Sequence, residues 1–284
     1  MLSILIPTYN YNITPLVEVL LNQCKACQIM FEIIAYDDGS KSELNLINTK
    51  INTLDFSAFK ELPKNIGRSA IRNLLAKNAK YETLLFVDAG TFPKHDNFIE
   101  KYLNFKNEQA VSGGMTHIEH PPKQPYRLRW LYTKKREFKT LCSSNFMINK
   151  SVLLSNPFDE TLKKYGYEDV LFFQELSHKK IKTLFINNPV IHSADDDSDR
   201  FLEKTEFAIE NLIELVETKK IDAKSQKMYR LYTKLKNMKL VFITAKVYKI
   251  LKPLLIKNFK SSYASMFLFD VYRIGYFCYI KTRK

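Results

Sequence analysis

Short runs of apolar residues alternate with amphipathic segments through most of the chain, and this alternation limits the fold more tightly than any other feature. Leu2 to Ile6 carries one polar side chain, Ser3, and reads as a strand buried on both faces. Such a strand belongs inside a sheet covered on both sides. It ends at Pro7, and Thr14 with Pro15 supplies an N-cap and a first helical residue. Leu16, Leu20, Cys24 and Cys27 then share one helix face. Phe31 to Tyr36 is a second strand and Leu84 to Val87 another, with a helix marked by Ile71, Leu74 and Leu75 between them. Asn145–Ile148 and Thr183–Ile186 are shorter strand candidates. The pattern predicts an α/β fold: βα units around a largely parallel sheet flanked by helices.

Charge divides the chain unevenly. Residues 219–284 hold 17 Lys and Arg against two acids, Asp222 and Asp270, whereas residues 1–218 are nearly neutral. An α/β domain over 1–218 and a basic, aromatic-rich helical tail over 219–284 are therefore expected, with chemistry in the first and attachment in the second. Phe201, Thr205, Ala208, Leu212 and Val216 recur at helical spacing, so 201–217 is expected to pack on the body. In the tail Met228, Leu231, Leu235, Met238, Phe242 and Ala245 form an apolar stripe, and Pro253 is expected to break the helix. An apolar share of 45% excludes a disordered chain. No run of about 20 uncharged apolar residues predicts a spanning helix.

Four cysteines are too few for a disulfide scaffold in 284 residues. Cys24-x-x-Cys27 has no second pair to complete a zinc site and reads as small buried side chains. Met1 opens directly into the first strand, so no signal peptide is expected, and the compartment reads as cytoplasmic.

In open α/β sheets ligands bind where the carboxyl ends of the strands converge. Here those ends carry Pro7-Thr8-Tyr9-Asn10, Asp37-Asp38-Gly39-Ser40 and Asp88-Ala89-Gly90. Three polar loops, two of them acidic, suit a ligand with hydrogen-bonding rings and a metal-bridged phosphate. No glycine-rich phosphate cradle is present, so a phosphorylated ligand needs a cation, or Arg68 and Arg72, to neutralise it.

In order along the chain, these segments are joined by Asn65-Ile66-Gly67, Ala70 to Asn73, Phe86 to Gly90, Asn145 to Ile148, Phe158-Asp159-Glu160 and Tyr165-Gly166-Tyr167-Glu168-Asp169. Together, over residues 1–217, they resemble the inverting family-2 glycosyltransferases of GT-A fold, of the bacterial cell-surface polysaccharide type. The resemblance implies transfer of a sugar from a nucleotide diphosphate donor, UDP by default, to a hydroxyl of a glycan or lipid-linked acceptor. It places Pro7, Thr8, Tyr9, Asp38, Gly67, Arg68 and Asp88 at the nucleotide-sugar. It makes Asp169 the general base, with Glu168 orienting the site or the acceptor. A base within hydrogen-bond reach of the attacking hydroxyl and a cation at the leaving diphosphate are what such a transfer requires.

One departure bears on the metal. The second acid of the family's D-x-D pair is Gly90, so an Mn2+ or Mg2+ ion would rest on Asp88, completed by His192, which reads either as that ligand or as a core or lid histidine. Gly90 alternatively marks a weakened or metal-independent site. His117-Ile118-Glu119-His120 runs into Pro121-Pro122 and reads as an irregular loop, not a zinc helix. Tyr126 to Phe138 offers either acceptor contacts or a solvated helix with Arg127, Arg129 and Lys134 to Arg136 outward. Asp195-Asp196-Asp197 reads as an acidic lid or loop.

The tail's charge suits phosphate backbones, yet it carries no nucleic-acid-binding signature, so nucleic acid is not expected as a partner. Tyr229, Tyr232, Phe242, Tyr248, Phe259 and Phe267 interleave its lysines and suit an anionic lipid surface, with the protein peripheral on the inner face of the plasma membrane. Packing of the stripe on the body or on a second copy is the competing reading. The competing functional class is a catalytically inactive relative or a basic binding protein.

Overall fold

Residues 1–138, 140–163 and 165–283 are described by a computed structural model. In chain order the elements are β1 (Leu2–Thr8), α1 (Thr14–Ala26), β2 (Phe31–Asp37), α2 (Leu44–Asn48), β3 (Ser57–Glu61), α3 (Arg68–Asn78), β4 (Thr83–Val87), β5 (Thr91–Pro93) and α4 (Phe98–Leu103). There follow β6 (Ala110–Ser112), β7 (Met115–His117), α5 (Arg127–Tyr132), β8 (Asn145–Asn149), α6 (Lys150–Ser155), α7 (Glu168–His178), β9 (Thr183–Phe185) and β10 (Val190–His192). Four helices close the chain: α8 (Ser198–Glu217), α9 (Lys227–Asn237), α10 (Val241–Phe259) and α11 (Met266–Lys281). These elements form two compact units.

The first unit, residues 1–117, 136–163 and 168–193, holds the sheet. Its strand order is β3-β2-β1-β4-β8-β6-β9. The first four strands run parallel, β8 runs antiparallel to β4 and to β6, and β9 is parallel to β6. The sheet is thus mixed and mostly parallel, as the GT-A resemblance implies, where the alternation by itself predicts only a largely parallel one. Period-two alternation sorts the apolar side chains between two cores. Leu2, Ile4 and Ile6 of β1 join Leu16, Val17 and Leu20 of α1 and Phe98 of α4 on one face. Leu5 joins Ile71 and Leu75 of α3, Leu153 of α6 and Phe172 and Phe173 of α7 on the other. A small second sheet, β5-β10-β7, completes the unit.

Thr14 does not cap α1. It is the first helical residue, and its backbone N–H is met instead by the Asn12 side chain at 3.1 Å. Cys24 is buried and Cys27 partly buried, both as free thiols, in keeping with the expectation of packing side chains.

The second unit gathers residues 118–135, 164–167 and 194–284. The charge boundary at 218 is therefore not where the two units part. Helix α8 was expected on the sheet body, but its Phe201, Leu202, Ile209, Leu212 and Ile213 share one core with Tyr248, Phe259, Phe269, Tyr272 and Phe277 of the last two helices. Its acids meet the tail's lysines: Glu206 pairs with Lys252 at 3.1 Å, Asp199 with Lys260 at 2.6 Å and Glu217 with Lys281 at 2.6 Å. Net charge per segment cannot reveal that the acidic face of one helix is matched to the basic face of others.

Three further expectations change in this unit. Pro253 lies inside α10 rather than ending it; the helix breaks earlier, between Asn237 and Val241. Arg129 does not point outward. It is buried, donates to the Thr133 hydroxyl at 2.6 Å and stacks 5.3 Å from the Phe201 ring. Asp196 and Asp197 belong to the start of α8, not to a lid: Asp197 caps it by accepting from the Arg200 amide, and Asp196 is ion-paired with Lys204 at 2.7 Å.

Candidate active site

β2, β1 and β4 are neighbours in the sheet, so their carboxyl ends bring three loops side by side. The first two are pinned together by backbone, the Asp38 amide donating to the Thr8 carbonyl at 2.8 Å. Pro7 is half-buried, Thr8 buried and Tyr9 exposed to solvent. Asp37 is wholly buried. Its carboxylate accepts from the Ser40 amide at 2.7 Å, the Ser40 hydroxyl at 2.8 Å and the Asn10 amide at 3.3 Å. Gly39 turns the chain with φ near 65°, and a Cβ there would lie 2.3 Å from the Lys64 carbonyl carbon. Only glycine fits that corner.

Asp38 spans the gap to the next helix. Its two carboxylate oxygens accept from the Ile66 amide at 2.7 Å and the Gly67 amide at 3.0 Å. Burial pushes its pKa up, and those two amides pull it part of the way back. Gly67, with φ near 93°, precedes Arg68 at the first turn of α3. Asp38 and Gly67 therefore fix where α3 begins, and with it the directions of Arg68 and Arg72, one turn apart on the same face.

Those two arginines organise the acids. The Arg72 side chain is 1% exposed and donates to Asp88 at 2.6 Å and to the Arg68 carbonyl at 3.1 Å. Its guanidinium also lies 5.9 Å from the Phe158 ring. Arg68 reaches the other Asp88 oxygen at 3.4 Å and Glu168 at 2.6 Å. The Ser144 hydroxyl donates to Asp88 at 2.8 Å, and the Asp88 amide donates to the Ser144 carbonyl at 3.0 Å. A continuous polar chain thus runs from the end of β4 through Asp88 and Arg68 to Glu168 at the start of α7. Glu168, which the resemblance implies orients the site or the acceptor, is ion-paired with Arg68. The sequence offers Arg72 as a partner for phosphate, whereas the structure pairs it with Asp88, and Ser144 is not among the sequence's candidates. The spacing of Arg72 from Arg68 was a usable signal; Ser144 offered none, because only the antiparallel pairing of β8 with β4 brings it to Asp88.

Asp169, next to Glu168, is half-buried and accepts from the Val170 amide at 2.8 Å. Its pKa is pushed up to about 7 by burial and then by the negative charge of Glu168; the Val170 amide, Arg68 and Arg72 pull the other way without cancelling the rise. The Cys142 thiol is also pushed up, by burial and by the charge of Asp169.

His192 ends β10, where its backbone pairs with Thr91 of β5 and His117 of β7, and the Ser193 amide donates to the Gly90 carbonyl at 3.2 Å. The fold thus places the His192 strand beside the Asp88-Ala89-Gly90 loop. The donor set nevertheless does not fit a divalent ion held by Asp88 and His192. Both Asp88 oxygens are engaged by guanidinium groups, one of them also by Ser144, and Gly90 adds no carboxylate. Among the described residues no three His, Cys, Asp or Glu side chains converge on a common point. His117 ends β7 and residues 118–126 form no helix, so the irregular loop read from the two prolines stands.

The family described as Glycosyl transferase family 2 matches residues 3–162, more than half of the chain. The chain belongs to that family. No curated protein sequence matches it. Among solved structures, this glycosyltransferase is similar to the 1–349 portion of S. aureus TarS in complex with UDP-GlcNAc, at 16% identity, covering 96% of this chain and 90% of that one with a TM-score of 0.50. It is also similar to the mannosyltransferase PcManGT from Pyrobaculum calidifontis in complex with GDP-Man and Mn2+, at 12% identity, 76% and 64% coverage and a TM-score of 0.52. A third neighbour is GalNAc-T7 with UDP, GalNAc and Mn2+, at 15% identity, 68% and 43% coverage and a TM-score of 0.50. The glycosyltransferase spans 39% of the longer TarS structure. At such identities the likeness is one of fold, the GT-A arrangement.

Proposed function

We propose that this glycosyltransferase moves a sugar from a nucleotide diphosphate donor, UDP-linked by default, to an acceptor hydroxyl with inversion at the anomeric carbon. One observation carries the reading: the Asp169 carboxyl, its pKa raised by burial and by the charge of Glu168, stands at the start of α7 beside a chain of ion pairs that runs from Asp88 through Arg68 to Glu168. A carboxylate whose pKa is raised toward the working pH is a stronger proton acceptor than an ordinary one, which is what a general base needs.

In this reading Asp169 takes the proton of the acceptor hydroxyl as the oxygen attacks the anomeric carbon. The bond from that carbon to the donor phosphate oxygen breaks, and the electron pair leaves with the nucleoside diphosphate. Arg68, its side chain 43% exposed and paired with Asp88 and Glu168, is the cation proposed to meet that charge. Asp88, held by Arg72 and Ser144, and the loops at Pro7–Tyr9 and Asp38 form the donor side. No step is assigned to a divalent ion, because the donor set does not fit one. The acceptor is proposed to be a glycan or lipid-linked alcohol, met at the cytoplasmic face of the plasma membrane.

The test is a panel of nucleotide sugars scored by thermal shift, by donor hydrolysis and by NMR of the anomeric proton in the transferred product. One donor should stabilise the protein and yield a product of inverted configuration. A product of retained configuration, or no stabilisation by any nucleotide diphosphate sugar, rejects the proposal.

A further inference from the structure

Six tail aromatics offered themselves to a lipid surface from sequence, and the fold withdraws most of them. Tyr232, Tyr248 and Phe259 are buried in the core of the second unit and Tyr229 packs against it; Phe242 and Phe267 remain exposed. A different surface takes their place. Helix α10 has two faces separated by its 3.6-residue period. Ala245, Tyr248, Leu255 and Phe259 turn inward. Ile243, Val247, Ile250 and Leu254, spaced four, three and four residues apart, line up outward, with Ile250 66% and Leu254 65% exposed. Phe242, 70% exposed, lies at the start of the helix on the side of Lys246 and Lys249.

An outward row of large aliphatic side chains costs solvation free energy unless something covers it. The charges beside the row say what. Lys246, Lys249 and Lys257 are exposed along one flank. Lys252, Lys260 and Lys281 are taken up by the acids of α8, but among the described residues these three make no ion pair. An apolar strip edged by unneutralised lysines, on a segment carrying 17 basic residues against two acids, is complementary to an anionic lipid surface. A second copy of the same basic face would instead bring like charges together. No described helix is long and apolar enough to cross a membrane, so the contact is one of lying on the surface.

We propose that the outward face of α10, with Ile243, Val247, Ile250 and Leu254 entering the lipid and Lys246, Lys249 and Lys257 at the headgroups, docks this protein on an anionic membrane. The inference rests on the membrane location proposed above and is independent of the transfer chemistry.

Co-sedimentation of the full chain with phosphatidylcholine vesicles, with and without phosphatidylglycerol, tests it. The protein should pellet at low salt only with vesicles containing phosphatidylglycerol. Charge reversal by Lys246→Glu with Lys249→Glu should weaken this at least about 30-fold, taking each lost attraction near an anionic surface at its usual size. Ile250→Asp should weaken it about tenfold or more and remove the part that persists as salt is raised. Donor hydrolysis should be unchanged in both variants, since neither position belongs to the donor site. Native-like binding by both variants overturns the inference, as does failure of the unmodified chain to bind at low salt. It is overturned equally if Ile250→Asp converts a dimer to a monomer while vesicle binding is retained, since a second copy then covers the strip. Should Ile250→Asp fail to fold, the lysine pair decides the question. Loss of donor hydrolysis by the unmodified chain would count against the transfer reading alone.

Discussion

Replacing Asp169 by Asn removes the proposed base while keeping its size, and the structure fixes what should change with pH. With a pKa of about 7, Asp169 is half ionised at pH 7, roughly a tenth ionised at pH 6 and about nine-tenths at pH 8. Turnover of the unmodified enzyme should therefore rise about tenfold from pH 6 to pH 8, with an acid limb centred near pH 7. Asp169→Asn should lower turnover by about 10²–10⁴ and abolish that limb while leaving donor affinity nearly intact. Glu168→Gln gives an independent check. It removes the negative charge that helps hold the Asp169 pKa up, so the limb should move to lower pH, and Arg68→Ala should move it to higher pH. Stability moves with the opposite sign to activity. The folded state holds the Asp169 proton to a higher pH than the ordinary 3.8, so this group's contribution to stability falls as pH rises from about 4 to 7. Asp169→Asn should thus gain in melting temperature relative to the unmodified chain as pH is raised through that window. Initial rates across pH and thermal melts in the same buffers measure both. A limb that survives in Asp169→Asn, or a loss of turnover below tenfold, would refute the assignment.

Arg72→Met should cost about 3 kcal/mol of stability, because it leaves Asp88 without its shortest ion pair in a site where the guanidinium is almost wholly buried. That corresponds to a fall in melting temperature of about 6–12 °C, read by differential scanning calorimetry. Donor affinity, titrated calorimetrically with the nucleotide diphosphate, should be the same within about threefold in EDTA and in Mn2+, since both Asp88 oxygens are engaged by arginine; strict dependence on Mn2+ would contradict this. A chain ending at Glu217 should aggregate or melt early, as it strips α8 of the partners that cover Phe201, Leu212 and Ile213; a soluble, cooperatively melting product would show that the core of the second unit is dispensable.

The strands were legible because their apolar runs are short, strongly patterned and bounded by turn residues, and each of the five read from the sequence is a strand in the sheet. The loops at their carboxyl ends followed from the same reading, since a parallel sheet gathers those ends along one edge. What sequence could not settle is which charges face each other. Asp88 is expected as a metal ligand because the resemblance matches it to the first acid of the family's D-x-D pair, although Gly90 replaces the second. Its neighbours in space are Arg68, Arg72 and Ser144, contributed by α3 and the approach to β8. The tail shows the same division. Composition located the basic excess in residues 219–284, but α10 is apolar on most of its circumference, so only packing against its neighbours decides that Tyr248 and Phe259 lie inside while Ile250 and Leu254 lie outside. Local chemistry and periodicity act within a few residues along the chain and are written there. Ion pairing and burial depend on distances closed only by the fold, between segments far apart in the chain, 100 residues in the case of Arg68 and Glu168.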